Sequence, residues 1–205
     1  GEASLEWEAY EPFARASRIT APHLVTEVKG VNPADKLTAV LAAHRNPMTL
    51  EWIETAQYEI PDGLIPTDVP PLWLAKKKNA LYYTGSGRGD HARLMTLAEI
   101  LTMPDTVKAA EVDEKFTDVY AFLQNMEAPL YPNEIDEILA LKGQVLYEEN
   151  CMKCHGMKSY PNLLVSLDYI GTDPALAKAN FAYEEFLDWY NDSWYSKGER
   201  NAFFE

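Results

Sequence analysis

Between Pro33 and His44 the chain reads PADKLTAVLAAH, and Leu37, Val40, Leu41 and His44 recur at steps of three and four, the stripe of an amphipathic helix. Asn32 is its expected cap and Pro33 its first-turn residue. From Pro47 to Pro71 no period lasts and prolines fall at 47, 61, 66, 70 and 71, which predicts an extended loop laid over a surface. Glycines at 85, 87 and 89 then call for a backbone bend, and Asp90 opens a second helix. Residues 106–127 predict one or two more helices, with Phe116, Val119, Tyr120, Leu123 and Met126 on a shared face. The proline-marked break APLYPNE at 128–134 is the expected boundary between a loop-rich helical region, 1–130, and a second domain, 131–205. Past it, NEIDEILALKGQVLYEEN predicts a helix capped by Asn133, with Ile135, Ile138, Leu139, Leu146 and Tyr147 near one another. That helix runs straight into Cys151. Loop with one short helix follows, then an aromatic-rich terminal helix in FAYEEFLDWYNDSWY. The expected fold class is all-α.

Composition narrows the partners. The longest apolar runs, such as LTAVLAA at 37–43, fall far short of the roughly 20 residues a spanning helix needs, so no transmembrane segment is expected. With 32 acidic and 18 basic residues the formal net charge is −14, which repels phosphate backbones and argues against nucleic acid. That acid either favours a basic protein partner or serves solubility. The opening GEASLEWEAYEPFA has neither the basic nor the apolar region of a signal peptide, so one has been removed or was never part of this numbering. The glycines at 85, 87 and 89 lack the preceding strand and the Gly-Lys-Ser/Thr ending of a phosphate loop.

The two cysteines of the chain fall in Cys151-Met-Lys-Cys154-His155. Cys-x-x-Cys-His is the attachment signature of a c-type haem, in which both thiols bond the vinyl groups and the adjoining imidazole becomes an axial iron ligand. Three other readings compete. A structural zinc needs two further ligands, and the other histidines, at 23, 44 and 91, offer no pair at ordinary spacing. A thioredoxin-like dithiol normally opens a helix after a βαβ pattern, whereas here a helix is expected to end at the cysteines. The last is a disulfide or a pair of buried thiols beside an unrelated histidine. The preceding helix favours haem, because Gly143, Tyr147 and Cys151 recur at steps of four along one face. This is similar to the N-terminal helix of class I cytochromes c, and it implies that Tyr147 lies over the haem edge and that Gly143 lets another helix approach. Pro161 in SYPNL resembles the proline segment whose carbonyl accepts the other N–H of the ligating histidine; otherwise it only turns the chain.

A longer resemblance runs from about residue 30 to 180. GVNPADKLTAVLAAHRNPMTLEW, TDVPPLWLAKKKNALYYTGSGRGDHARLM, KGQVLYEENCMKCHG and YPNLLVSLDYIGTDPALA are similar to bacterial multi-haem cytochromes c related to the di-haem cytochrome c peroxidases. The resemblance implies a class I cytochrome c-like domain carrying one covalent haem c, preceded by part of another cytochrome unit. Within it PLWLAKKKNALYYTGSG looks like the loop after a first haem motif, and FTDVYAFLQNMEAP like the closing helix of that unit. No first Cys-x-x-Cys-His precedes them, so either the unit has lost its haem or a flanking piece lies outside this chain. Covalent haem attachment takes place on the outer side of the energy-transducing membrane, so a periplasmic or other extracytoplasmic location is expected.

A sixth iron ligand has to come from upstream, since Met157 is too close to His155 to reach the opposite face. Met95 is the first candidate, followed by Met103, Met126, His91 and His44, each of which otherwise packs or hydrogen-bonds in a core. Tyr83 is placed on the distal side of a lost or neighbouring haem. Three functions are expected in order: electron transfer between redox partner proteins; a peroxidase-type enzyme, with a small oxidant reduced at an open iron face; and a structural subunit of a larger membrane-associated electron-transfer complex. For the last, Trp7, Trp52, Trp73, Trp189 and Trp194 suit either interfaces or a core.

Overall fold

The computed structural model describes residues 5–26, 33–60, 71–82, 85–156, 165–174, 177–178, 184–198, 200 and 202–204. Tyr83, Met157, Pro161, Asn32 and the prolines at 61, 66 and 70 lie outside them. The described elements are α1 (Leu5–Thr20), α2 (Ala34–Ala43), β1 (Gly87–Gly89), α3 (His91–Met95), α4 (Thr106–Asn125), α5 (Glu137–Asn150), α6 (Met152–His155), α7 (Leu167–Ile170), α8 (Glu184–Asp192) and β2 (Ala202–Phe204). Short 3₁₀ turns cover Ala21–His23, Leu72–Lys77 and Thr96–Glu99. The fold is thus mostly helical, as the patterning predicts, with one antiparallel strand pair added: Gly87 faces Phe204 and Gly89 faces Ala202. No helix among the described residues is long and apolar enough to cross a membrane.

Carboxylates start three of the helices. Asp90 accepts the Arg93 N–H, Asp105 the Lys108 N–H, and Asp136 the N–H groups of Ile138 and Leu139, each satisfying a donor that the first turn leaves open. Two expected caps are corrected. Asp136, not Asn133, caps α5: Asp136 is itself extended, and its carboxylate accepts the first-turn amides of Ile138 and Leu139. Pro33 sits at the cap position of α2 rather than inside its first turn, and supplies no side-chain bond there.

The core joins the N-terminal helices to the end of the chain. Leu41 and Ala42 of α2, Leu50, Leu94 of α3, Leu97, Ile100, Met103 and Ala109 of α4 pack with Phe186, Trp189 and Tyr190 of α8, Tyr195 and Ala202. Each large side chain fully withdrawn from water contributes roughly 1.5–3 kcal/mol. Polar bonds tie the same halves together: the Trp189 indole donates to the Arg45 carbonyl at 2.7 Å, and the Trp194 amide donates to the Pro47 carbonyl at 2.8 Å. Among the described residues, those from 184 to 198 and Ala202 therefore pack with the N-terminal body, although the sequence assigned them to the 131–205 unit. The reason is aromatic burial, since Phe186, Trp189, Tyr190 and Tyr195 find their partners on α2, α3 and the loop through Leu50. Trp189 is core and Trp52 and Trp194 pack against it, whereas Trp7 and Trp73 are exposed.

Leu50 shows how the proline-containing loop is anchored. It is fully buried with a positive φ of 60°, and Arg45 donates to its carbonyl at 3.0 Å and to the Ile100 carbonyl at 3.2 Å. The segment that follows α4 behaves differently. From Glu127 to His155 every residue is exposed except the half-buried Tyr147, and α5 packs on α6.

Candidate functional site

The Cys151–His155 segment is a second short helix rather than the plain end of the first. Residue Cys151 ends α5, its amide donating to the Tyr147 carbonyl at 2.8 Å, and starts α6, its carbonyl accepting the amides of Cys154 at 3.1 Å and His155 at 2.9 Å. Both thiols are free and exposed, and His155 is exposed beside them. The helix-ending geometry that was expected to set this motif apart from a dithiol pair is thus only half right: one helix ends at Cys151 and another turn begins there. Gly156 leaves α6 in an extended conformation, and a Cβ on it would stand 3.0 Å from the Met152 carbonyl oxygen, so the exit passes close to the turn. Within the motif, the Lys153 ammonium lies 5.0 Å from the centre of the Tyr169 ring on α7. Its hydrogen bond with Tyr169 raises the Lys153 pKa above the ordinary lysine value.

The other predicted residues are distributed as follows. Tyr147 turns its hydroxyl to the His155 carbonyl, so the phenol is tied to the motif itself. Gly143 has open space where a Cβ would be; no helix comes close to it among the described residues. Met95 is half-buried at the end of α3, which packs on α4, β1, β2 and the Thr96–Glu99 turn, whereas α5 and α6 pack on each other. The structure does not bring Met95 and His155 together in one packed unit. Met103 is fully buried and accepts a contact from the Tyr195 hydroxyl at 3.4 Å, the core-packing alternative weighed for it. His44 stacks on Trp52 with ring centres 5.2 Å apart, its Nδ1 3.0 Å from the Ile53 carbonyl. Met126 caps the end of α4.

His91 belongs to a different constellation, one that the sequence pattern did not reveal. Its Nδ1 lies 2.9 Å from the Tyr120 hydroxyl, and burial, partly opposed by a hydrogen bond to the Asn79 backbone, lowers its pKa. A cavity of about 400 Å³ opens there, lined by Asn79, Asp90, His91, Thr117, Tyr120 and Arg200. Two arginines and two carboxylates hold its wall. Arg200 donates to both oxygens of Asp90 at 2.8 and 3.0 Å, and also to Asp113 at 3.1 Å; Arg93 donates to the same Asp113 oxygen at 2.9 Å. The bidentate bond from Arg200 is the main reason the Asp90 pKa lies below the ordinary carboxylate value. Arg93 and Asp113 are 93 and 113, and Arg200 is at 200, so only tertiary structure assembles them.

Chemically, the exposed site offers two thiols and one imidazole from a single turn. Two thiols at that spacing can bond two points of one planar group, and a neighbouring imidazole can ligate a metal at its centre. Among the described residues no group of three or more His, Cys, Asp and Glu side chains is placed to hold a metal ion by itself.

Neither a family model nor a solved structure matches the chain. The uncharacterized protein y4iM of Sinorhizobium fredii (strain NBRC 101917 / NGR234) is similar, 28% identical over 131 residues, which amount to 63% of this chain and 29% of that protein. The chain spans less than a third of that relative's length, and the likeness places it in no family of stated activity.

Proposed function

We propose that this chain is an electron-transfer c-type cytochrome carrying one covalent haem c in an extracytoplasmic space. The observation that carries the reading is the state of Cys151, Cys154 and His155: free, exposed and presented by one turn. These residues fit the group. Cys151 and Cys154 would hold the porphyrin edge, and His155 would ligate iron from the adjoining position. A haem held there supplies a one-electron iron couple.

The surface around the motif supports the same reading. Gly143, Tyr147 and Cys151 share one face of α5, while Ile138, Leu141 and Val145 form a second apolar row roughly 150° away at 3.6 residues per turn. Ile138, Leu141 and Val145 are 69%, 64% and 53% exposed, an unusual apolar display on a helix that also carries Glu137, Glu148 and Glu149. A planar group on the cysteine face would lie against Tyr147 and leave this second apolar row, on the opposite side, open to a partner's surface. Exposed acids beside the motif, in a chain of net charge −14, would steer a basic redox partner.

The test is kinetic. With haem attached, electron exchange with a small cationic redox protein should slow steeply as ionic strength rises. A rate independent of salt, together with rapid peroxide turnover, would replace electron transfer by peroxidase chemistry.

A further inference from the structure

The bonds that join α5 to the motif form a circuit. The Cys151 amide donates to the Tyr147 carbonyl at 2.8 Å, the His155 amide donates to the Cys151 carbonyl at 2.9 Å, and the Tyr147 hydroxyl donates back to the His155 carbonyl. Tyr147, Cys151 and His155 thus stand four residues apart, each bonded to the next. A four-residue helix such as α6 leaves its last carbonyls without donors of its own. The phenol supplies one. It does so from the preceding helix, across the residue where the two helices meet.

Position matters as much as the bond. Tyr147 is the one residue between Glu127 and His155 that is not exposed, and its hydroxyl reaches the turn it caps. The thiols and the imidazole are on that turn, with water on their other sides. Without the cap, the only described bonds fixing Cys154 and His155 are the two amides that share the Cys151 carbonyl. Such a turn frays readily, because one short helical turn is close to its nucleation limit.

We propose that Tyr147 is a positioning residue, whose hydroxyl caps the motif turn and fixes the mutual arrangement of Cys151, Cys154 and His155. The cap stands on the hydrogen bond alone; its consequence for an iron ligand rests on the haem reading above. The role differs from ring packing over a haem edge, which phenylalanine would serve equally well.

The experiment compares the full-length chain with Tyr147→Phe, which keeps the ring and removes the donor. In the haem-free chain, amide hydrogen exchange at Cys154 and His155 should run roughly fivefold faster in the variant, the factor that about 1 kcal/mol for one hydrogen bond gives. Equal exchange would overturn the cap. In the haem-bearing chain, the acid titration that releases His155 from iron, followed by the spin-state band, should shift upward by about 0.7 of a pH unit in the variant. Coincident titrations would overturn the positioning role. Tryptophan-monitored melting should be unchanged, because Tyr147 is not part of the core. Should neither protein carry haem, the cytochrome reading fails, and the exchange rates still decide the cap.

Discussion

Replacing Asp113 by alanine should cost this protein about 3 kcal/mol, the low end of the range for breaking a buried ion pair by removing one partner. The carboxylate of Asp113 and the guanidinium of Arg93 are only 10% and 8% exposed, and they meet at 2.9 Å. Alanine would leave that guanidinium charged and without a counter-ion in the interior. Three features keep the loss at the low end. Arg93 retains its bonds to the carbonyls of Tyr195, Trp194 and Lys197. It also keeps its place over the Trp194 ring, 3.8 Å from the centre. Arg200, the second partner of Asp113, is one-third exposed and stays on Asp90, so its share is small. Urea unfolding followed by tryptophan fluorescence reads the effect directly, since Trp189 and Trp194 lie on the segment that this network holds. With a denaturant slope of about 2 kcal/mol per molar, the midpoint should fall by roughly 1.5 M. Asp113→Asn, which keeps one acceptor oxygen, should lose about half as much. A fall below roughly 0.3 M in the alanine variant would refute the reasoning, for it would mean that the carbonyls alone satisfy Arg93.

Three further outcomes are expected. The Asp90 pKa is lower folded than unfolded, so its contribution is complete above the ordinary carboxylate range and disappears as pH falls through that range toward the folded value; Asp90→Asn should flatten the acid limb of melting temperature against pH, and an unaltered limb would count against it. Trp189→Phe removes the 2.7 Å bond to the Arg45 carbonyl, which Gln57 also serves, so stability should drop by about 1 kcal/mol in urea titration, and a larger loss would mean that packing dominates there. Gly156→Ala brings a Cβ within 3.0 Å of the Met152 carbonyl, a backbone contact that cannot swing aside, so the motif turn must shift and the fraction of chain carrying haem, read from absorbance, should decrease; an unchanged fraction would show that the exit from α6 is not constrained.

Several helices were legible because each carries its own pattern, whereas α1 (Leu5–Thr20) was not read as a helix from the sequence. The apolar steps of α2 and α4, the carboxylate cap at Asp90, and the run of α5 into Cys151 are local signals, and local hydrogen bonds realise them, whereas the cap at Asp105 emerges only in the folded chain. The misplaced cap of α5 has the same origin: Asn133 and Asp136 are both good cap residues, and the choice between them depends on where the chain after Pro132 stops being extended. Tertiary partners were not legible. The aromatic pattern of residues 184–195 shows that a face must be buried, but not that it is buried against α2 and the loop through Leu50. Strands of three residues, one of them Gly-Arg-Gly, give no period to read, and β1 meets β2 across more than a hundred residues. The candidate site divides in the same way. Cys151, Cys154 and His155 are contiguous and announce themselves, whereas the bond from Tyr147 to the His155 carbonyl, and the gathering of Asp90, Arg93, Asp113 and Arg200, exist only once the chain has folded.

The central claim is that paired sulfurs bind one porphyrin to this polypeptide. It is tested most directly by mass spectrometry of the chain exported in a host that attaches haem, denatured and extracted with acid to strip any group not covalently held. The account predicts the mass of the chain plus one haem, reduced to the bare chain when both Cys151 and Cys154 are replaced by serine. A wild-type sample at the bare mass would contradict it.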